Sequence, residues 1–231
     1  MVLMAEPRRR QLDPNPIVVM TQGVVSETQI ARARRGIDRV LQRHHIAAPA
    51  RVRLTAPRGS GAPMLVQANL RLPGGPVRVQ VTGPIGFAVT FAIERLDLQL
   101  DKVAAGGTWP NQCRPALTRV TGAHPIVRRK ESRLHNITAA KATAILEAMD
   151  YDAHLYVDAE LKTDAIVYRA GENALQDTAA PPSIPCLDES AAAARLCALG
   201  LPVLYFTDPA CGRGRLLYRR YDGDLAIVLA R

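Results

Sequence analysis

The sequence predicts an α+β chain in three folded parts: an N-terminal β-α-β-β-β-α domain, then two tandem small α/β modules. Three observations carry this reading. Tyr168 and Arg169 recur fifty positions on as Tyr218 and Arg219, and the same offset pairs Asp158 with Asp208, Leu146 with Leu196, Ala142 with Ala192 and Leu175 with Leu225, so the second half of the chain repeats itself. Ahead of the repeat, three β-type runs, two of them clearly alternating, lie between two stretches of helical spacing. Charge divides along the same line: residues 1–104 carry 15 basic and 7 acidic side chains, 105–136 carry 6 and 1, and 137–231 carry 9 and 13.

Residues 1–15, with Arg8, Arg9, Arg10 and their prolines, read as a disordered basic arm, and 16–104 as the first domain. Ile17 to Met20 is a short strand. Ser26 is placed to cap a helix running to about His44, with Ile30, Ala33, Ile37, Val40 and Leu41 on one side. On its other side Arg32, Arg35, Arg39 and Arg43 recur at spacings of three, four and four, and only Glu27 and Asp38 are available to interleave acids. Such a guanidinium stripe suits a polyanion, and RNA is the natural one. Arg51 to Thr55, Met64 to Leu72 and Val77 to Thr82 are strands of a sheet with one buried face. A second helix, about Ile85 to Ala104, offers Val89, Ala92, Ile93, Leu96, Leu100 and Val103 to cover that face.

Residues 105–124 form a basic linker containing Trp109, whose ring suits a stacked base or a docked domain equally. The modules span 125–175 and 184–231, separated by a second linker, 176–183, with Pro181 and Pro182. In each, a cap, Thr138 or Asp188, opens a helix whose apolar side is Ala142, Leu146 and Met149, or Ala192, Leu196 and Leu199. Gly200 ends the second of these helices. β-formers follow at 155–157 and 203–207, then at 166–168 and 216–218, and Asp222-Gly223 turns into a last strand, Leu225 to Leu229.

Several function classes are excluded. No run approaches the roughly 18 apolar residues of a membrane span, and the first ten residues lack a signal peptide's apolar stretch, so a cytoplasmic protein without membrane partners is expected. Cys113, Cys186, Cys197 and Cys211 show no CxxC spacing and form no ligand pattern with the histidines, so neither metal nor cofactor is expected. There is no GxSxG, HExxH or phosphate loop, and no enzyme is predicted. The Gly212 to Arg215 run reads as a turn between strands, and His44-His45 as complements to a helix dipole.

The succession of helix, strand, turn, Tyr218-Arg219-Arg220, Asp222-Gly223 and closing strand resembles the C-terminal module of long-form ribosome hibernation-promoting factors. The second copy keeps Asp208, Gly212, Tyr218, Arg219, Arg220, Asp222 and Gly223 of that signature, and Pro125 to Lys130 resembles the segment leading into the module. The first copy retains Tyr168 and Arg169 but has Lys162 for the turn glycine and Glu172-Asn173 for Asp-Gly, and two copies resemble an actinobacterial-type dormancy variant. The order β-α-β-β-β-α is similar to the family's N-terminal domain, which has the shape of double-stranded-RNA binders. The resemblance implies binding to 16S rRNA and small-subunit proteins of the 70S ribosome, occlusion of messenger and transfer RNA sites, and inhibition of translation in stress or dormancy. It adds Arg95 and Lys102 of the second helix to the rRNA contacts, although Leu98 and Asp101 stand where the family places basic residues. Family members dimerise through their single module, so two modules are expected to pair internally as a pseudo-dimer. That leaves a monomer acting on single 70S particles without 100S pairs. The rival readings are an RNA-binding regulator independent of ribosomes and a protein-interaction module that binds no RNA.

Overall fold

The computed structural model describes residues 16–56, 62–105, 124–170, 174–178 and 184–231. The basic arm, Trp109 and most of both linkers lie outside them.

In the first domain β1 (Ile17–Gln22) runs parallel to β2 (Ala50–Thr55), and β3 (Met64–Leu72) and β4 (Gly75–Gly83) follow antiparallel, in the order β1-β2-β3-β4. The connection from β1 to β2 is α1 (Glu27–Arg43), whose first turn is capped by the Ser26 hydroxyl accepting from the Gln29 amide at 3.3 Å. The second helix, α2 (Ala88–Ala105), starts later than its apolar spacing suggests, because the Pro84 carbonyl accepts from both the Phe87 and Ala88 amides and holds 85–87 in a turn. Both helices cover one sheet face over a core that includes Ile37, Leu41, Leu54, Leu70 and Leu96. They cross closely at Gly36, where a Cβ would come within 2.1 Å of Ile93 Cδ1. Val103, expected in this core, is exposed on the last turn of α2.

The repeat folds twice into the same unit. In the first module β6 (Asn136–Ile137), β7 (Ala153–Asp158), β8 (Asp164–Ala170) and β9 (Ala174–Thr178) form a sheet in sequence order, packed on α3 (Ala139–Ala148). In the second, β10 (Val203–Thr207), β11 (Gly214–Arg219) and β12 (Leu225–Ala230) pack on α4 (Glu189–Ala198). Thr138 and Asp188 cap the helices as expected, accepting from Lys141 N and Ala191 N at 3.4 and 2.7 Å. Gly200 ends α4 at φ 61°, and the Leu201 amide closes back on Leu196 O at 3.0 Å. Leu199 does not join the apolar side; it caps α4 and is exposed.

Two expected boundaries move. Strand β5 (Ile126–Ser132) precedes the first module in sequence but completes the sheet of the second, pairing in parallel with β12 to give the order β10-β11-β12-β5. Strand β9 runs to Thr178, so the second linker begins later than residue 176.

The modules meet through their sheets, on the faces opposite α3 and α4. Leu155 and Ile166 from one and Leu216 from the other are buried together, flanked by Ala153, Val203 and Tyr205. At the edge of this layer the Asp164 carboxylate accepts from Arg213 Nε at 2.8 Å, Arg213 Nη2 at 3.1 Å and the Gly214 amide at 2.8 Å. Tyr205 donates its hydroxyl to Asp164 O at 2.8 Å, and burial, with Asp164 beside it, pushes its pKa up to about 12. A Cβ on Gly214 would stand 2.5 Å from the Tyr205 hydroxyl, so the contact admits only glycine there without rearrangement.

Candidate nucleic-acid interface

α1 is amphipathic, so burying Ala33, Ile37, Val40 and Leu41 leaves the opposite face to water, and Arg32, Arg35, Arg39 and Arg43 are all exposed on it. Two of the four are tethered within the domain: Arg32 Nη1 donates to Gly86 O at 3.3 Å, and Arg43 Nη1 to Asp97 Oδ2 at 2.6 Å. Arg35 and Arg39 have no ion pair among the described residues. With Arg32 they line a cleft of about 400 Å³ between α1 and α2, whose far wall carries Thr90, Ile93 and Glu94.

The two remaining predicted contacts lie elsewhere. Arg95 turns from solvent toward the first module, where its Nε and Nη2 reach Asp150 Oδ2 and Oδ1 at 3.1 and 2.7 Å. The Asp150 carboxylate, 1% exposed, also accepts from the Gln80 amide at 2.9 Å. Lys102, on the same side of α2, is half-buried; burial, with Arg95 nearby, lowers its pKa. Both residues thus lie on the side of α2 turned toward the first module, apart from the α1 stripe.

Spacing alone missed a second basic surface. The sheet face away from α1 and α2 exposes Arg51, Arg53 and Arg71, with Asn69 beside them, and β1 to β4 contain no acidic residue. Register aligns Arg51 with Asn69 and Arg53 with Gln67. The signal was present in the alternation of β2, Arg-Val-Arg-Leu, once its buried partners fixed which face was open.

The signature residues are structural in this fold. Asp208 Oδ1 accepts from Ala210 N at 2.9 Å, and Gly212, at φ 63°, returns its amide to Asp208 O at 2.8 Å, closing the turn between β10 and β11. Asp158 and Lys162 reproduce that turn in the first module, Lys162 at φ 56°. Arg219 is buried, its Nη1 donating to Gly223 O at 3.1 Å, and Arg220 holds Asp222 through two bonds of 3.0 and 2.8 Å. The Tyr218 hydroxyl takes Lys130 Nζ at 2.5 Å, fastening β5 to its adopted sheet. In the first module, Arg169 Nε donates to Tyr151 O at 3.1 Å, while Tyr168 packs against the layer between the modules.

Among the described residues His44, Asp97 and Asp101 are the group close enough to suggest a cation, but His44 Nε2 is already 2.8 Å from Asp97 Oδ1, and the cluster joins the end of α1 to α2. No helix among the described residues is long and apolar enough to cross a membrane.

Residues 122–173, which run from β5 through β8 of the first module, match the family described as Sigma 54 modulation/S30EA ribosomal protein C terminus. Two solved structures, the N-terminal domain of Protein Y from Thermus thermophilus and a ribosomal subunit interface protein from Coxiella burnetii, each align with 38% of this chain at 20% identity and a TM-score of 0.33, covering 98% and 97% of their own lengths. The dormancy associated translation inhibitor of Mycobacterium tuberculosis, in two strains, is 37% identical over 262 residues, spanning 96% of this chain and 95% of its own. A likeness of that depth along nearly the whole length, together with the module match, makes this chain a member of the long-form ribosome hibernation-promoting factor family.

Proposed function

We propose that the protein is a non-catalytic, cytoplasmic hibernation factor that binds 16S rRNA and small-subunit proteins of the 70S ribosome and inhibits translation by occupying messenger and transfer RNA sites. The observation that carries this is the full-length likeness to a dormancy associated translation inhibitor. The exposed arginine faces of the first domain supply the matching chemistry. Its β-α-β-β-β-α order, with both helices on one sheet face, supports a double-stranded-RNA-binding-like shape.

The modules act as a pseudo-dimer within one chain. Positions fifty apart meet each other across the layer: Ile166 and Leu216 share one cluster, Ala153 and Val203 flank it, and Asp164 bonds Gly214. Equivalent positions touch near the axis of a self-complementary pairing. The divergence at that axis favours pairing within the chain. Two first modules would set Asp164 against Asp164, and two second modules would set Gly214 against Gly214, with no carboxylate for Arg213.

The test is a sucrose gradient of purified 70S ribosomes with the protein. Co-sedimentation with 70S particles, without a 100S peak, is expected. Binding to isolated RNA but not to ribosomes, or to neither, would overturn the reading.

A further inference from the structure

The chain contains three phenylalanines, and two of them are on the surface at one spot. Phe87, in the turn that leads into α2, and Phe91, four residues on in its first turn, are 59% and 43% exposed, although a protein this poor in aromatics had core positions to offer them. Their rings are nearly parallel, with centroids 6.1 Å apart and 19° between planes. The spot is held rigidly. Gly83 leaves the space in which the Phe91 ring rests, since a Cβ there would lie 3.3 Å from Phe91 Cδ2. On the other side α1 grips the preceding turn: Gln29 Nε2 donates to Ile85 O at 2.8 Å and Arg32 Nη1 to Gly86 O.

That grip places the first arginine of the stripe next to Phe87. Thr90 and Glu94 follow Phe87 and Phe91 by three residues each on α2, and line the cleft that Arg32, Arg35 and Arg39 face from α1. The Thr90 hydroxyl oxygen is buried with no hydrogen-bond partner among the described residues. The Glu94 carboxylate repels phosphate but accepts from an exocyclic amino group. Cations on one wall, an acceptor on the other and, beyond Arg32 and Gly86, an exposed aromatic face fit the three parts of a nucleotide: phosphate, base edge and base plane. A hydrophobic protein partner would use the rings but leave the arginines and Thr90 unanswered.

We infer that the α1–α2 cleft binds an unpaired RNA nucleotide, its phosphate on the arginines and its base stacked on the outer face of Phe87. This rests on the RNA-binding reading above and narrows it to single-stranded or looped RNA, because a base inside a duplex has no free face. The ring spacing is too small for intercalation between Phe87 and Phe91, so Phe91 backs Phe87 and does not clamp the base from the other side.

The experiment measures binding of the full-length protein to a single-stranded RNA decamer and to a ten-base-pair RNA duplex by fluorescence anisotropy over a salt series. Phe87→Ala/Phe91→Ala is expected to weaken decamer binding by about 5-fold to 150-fold, the range of one stacked base. The salt slope should stay unchanged, because no phosphate contact is removed. Phe87→Tyr should retain affinity, whereas Phe87→Leu, apolar but not planar, should lose it. Equal decamer affinity in the double variant, or full retention by the leucine variant, overturns the inference while leaving RNA binding intact. Absence of decamer binding by the unmutated protein overturns the inference, and the underlying reading falls with it only where co-sedimentation with 70S ribosomes is also lost. Weakened ribosome binding with unchanged decamer affinity would assign the rings to a protein contact and overturn the stacking role.

Discussion

Single side chains decide two separate questions. If Arg32, Arg35, Arg39 and Arg43 each neutralise one phosphate, the logarithm of affinity should fall against the logarithm of salt with a slope of about −3, at roughly 0.7 to 0.9 per contact. Replacing all four by glutamate should abolish ribosome binding with circular dichroism unchanged; wild-type affinity in that variant would remove the stripe from the interface. The second question is backbone strain. Lys162 and Asp150 adopt positive φ, 56° and 52°, where the second module has Gly212 and Gly200 at 63° and 61°. Lys162 is exposed and gains nothing visible from its side chain, so Lys162→Gly should raise stability by about 1 kcal/mol in a denaturant titration. Asp150→Gly relieves the same kind of strain yet removes the carboxylate facing Arg95 and the Gln80 amide. It should therefore destabilise by about 3 kcal/mol, the usual result of stranding one member of a buried pair.

Between elements, the contact of the first domain with the first module is polar and local. Besides Asp150, Gln99 Nε2 donates to Glu147 O at 3.0 Å, and Arg78 lies 5.6 Å from the centre of the Tyr151 ring, which stacks on His154. Burial, with His135 nearby, pushes the His154 pKa down from 6.5 to about 4. Between those values the unfolded chain takes up a proton that the folded ring refuses. His154 thus weakens the fold progressively as pH falls from about 6.5 toward 4, while stability is full above that window. Denaturant midpoints should follow that course, and His154→Gln should flatten it; an unchanged profile would clear His154. The helices, caps and arginine stripe were legible in the sequence because each is written in local spacing, and the repeat because matching residues recur at one fixed offset. The lodging of β5 in the second module, the capture of Arg95 by Asp150 and the exposure of Leu199 and Val103 were not. Each depends on which surface a distant segment covers, and local periodicity carries no such information.

At the scale of the whole molecule, the module pair shares one chain at an effective concentration on the order of millimolar, above the micromolar range at which a second chain competes. Light scattering at micromolar concentration should return the mass of one chain, 25.1 kDa. Arg213→Glu, which sets a second carboxylate against Asp164, should loosen the pairing and admit dimers; a dimer in the unmutated protein would contradict internal pairing. The seating of β5 beside β12 also has a bearing on how the protein is made. The partner of Ile126 in that ladder is Leu225, so β5 leaves the ribosome roughly 100 residues ahead of the strand it needs. At about 5 to 20 residues per second, its edge stays open for about 5 to 20 s. During that interval the available β12 strands are those of finished neighbours, so a strand exchanged between chains is a hazard fixed by timing and not by affinity. The open interval lengthens in proportion as synthesis slows, and a cell shutting down its own translation makes each new copy of this protein under the longest exposure.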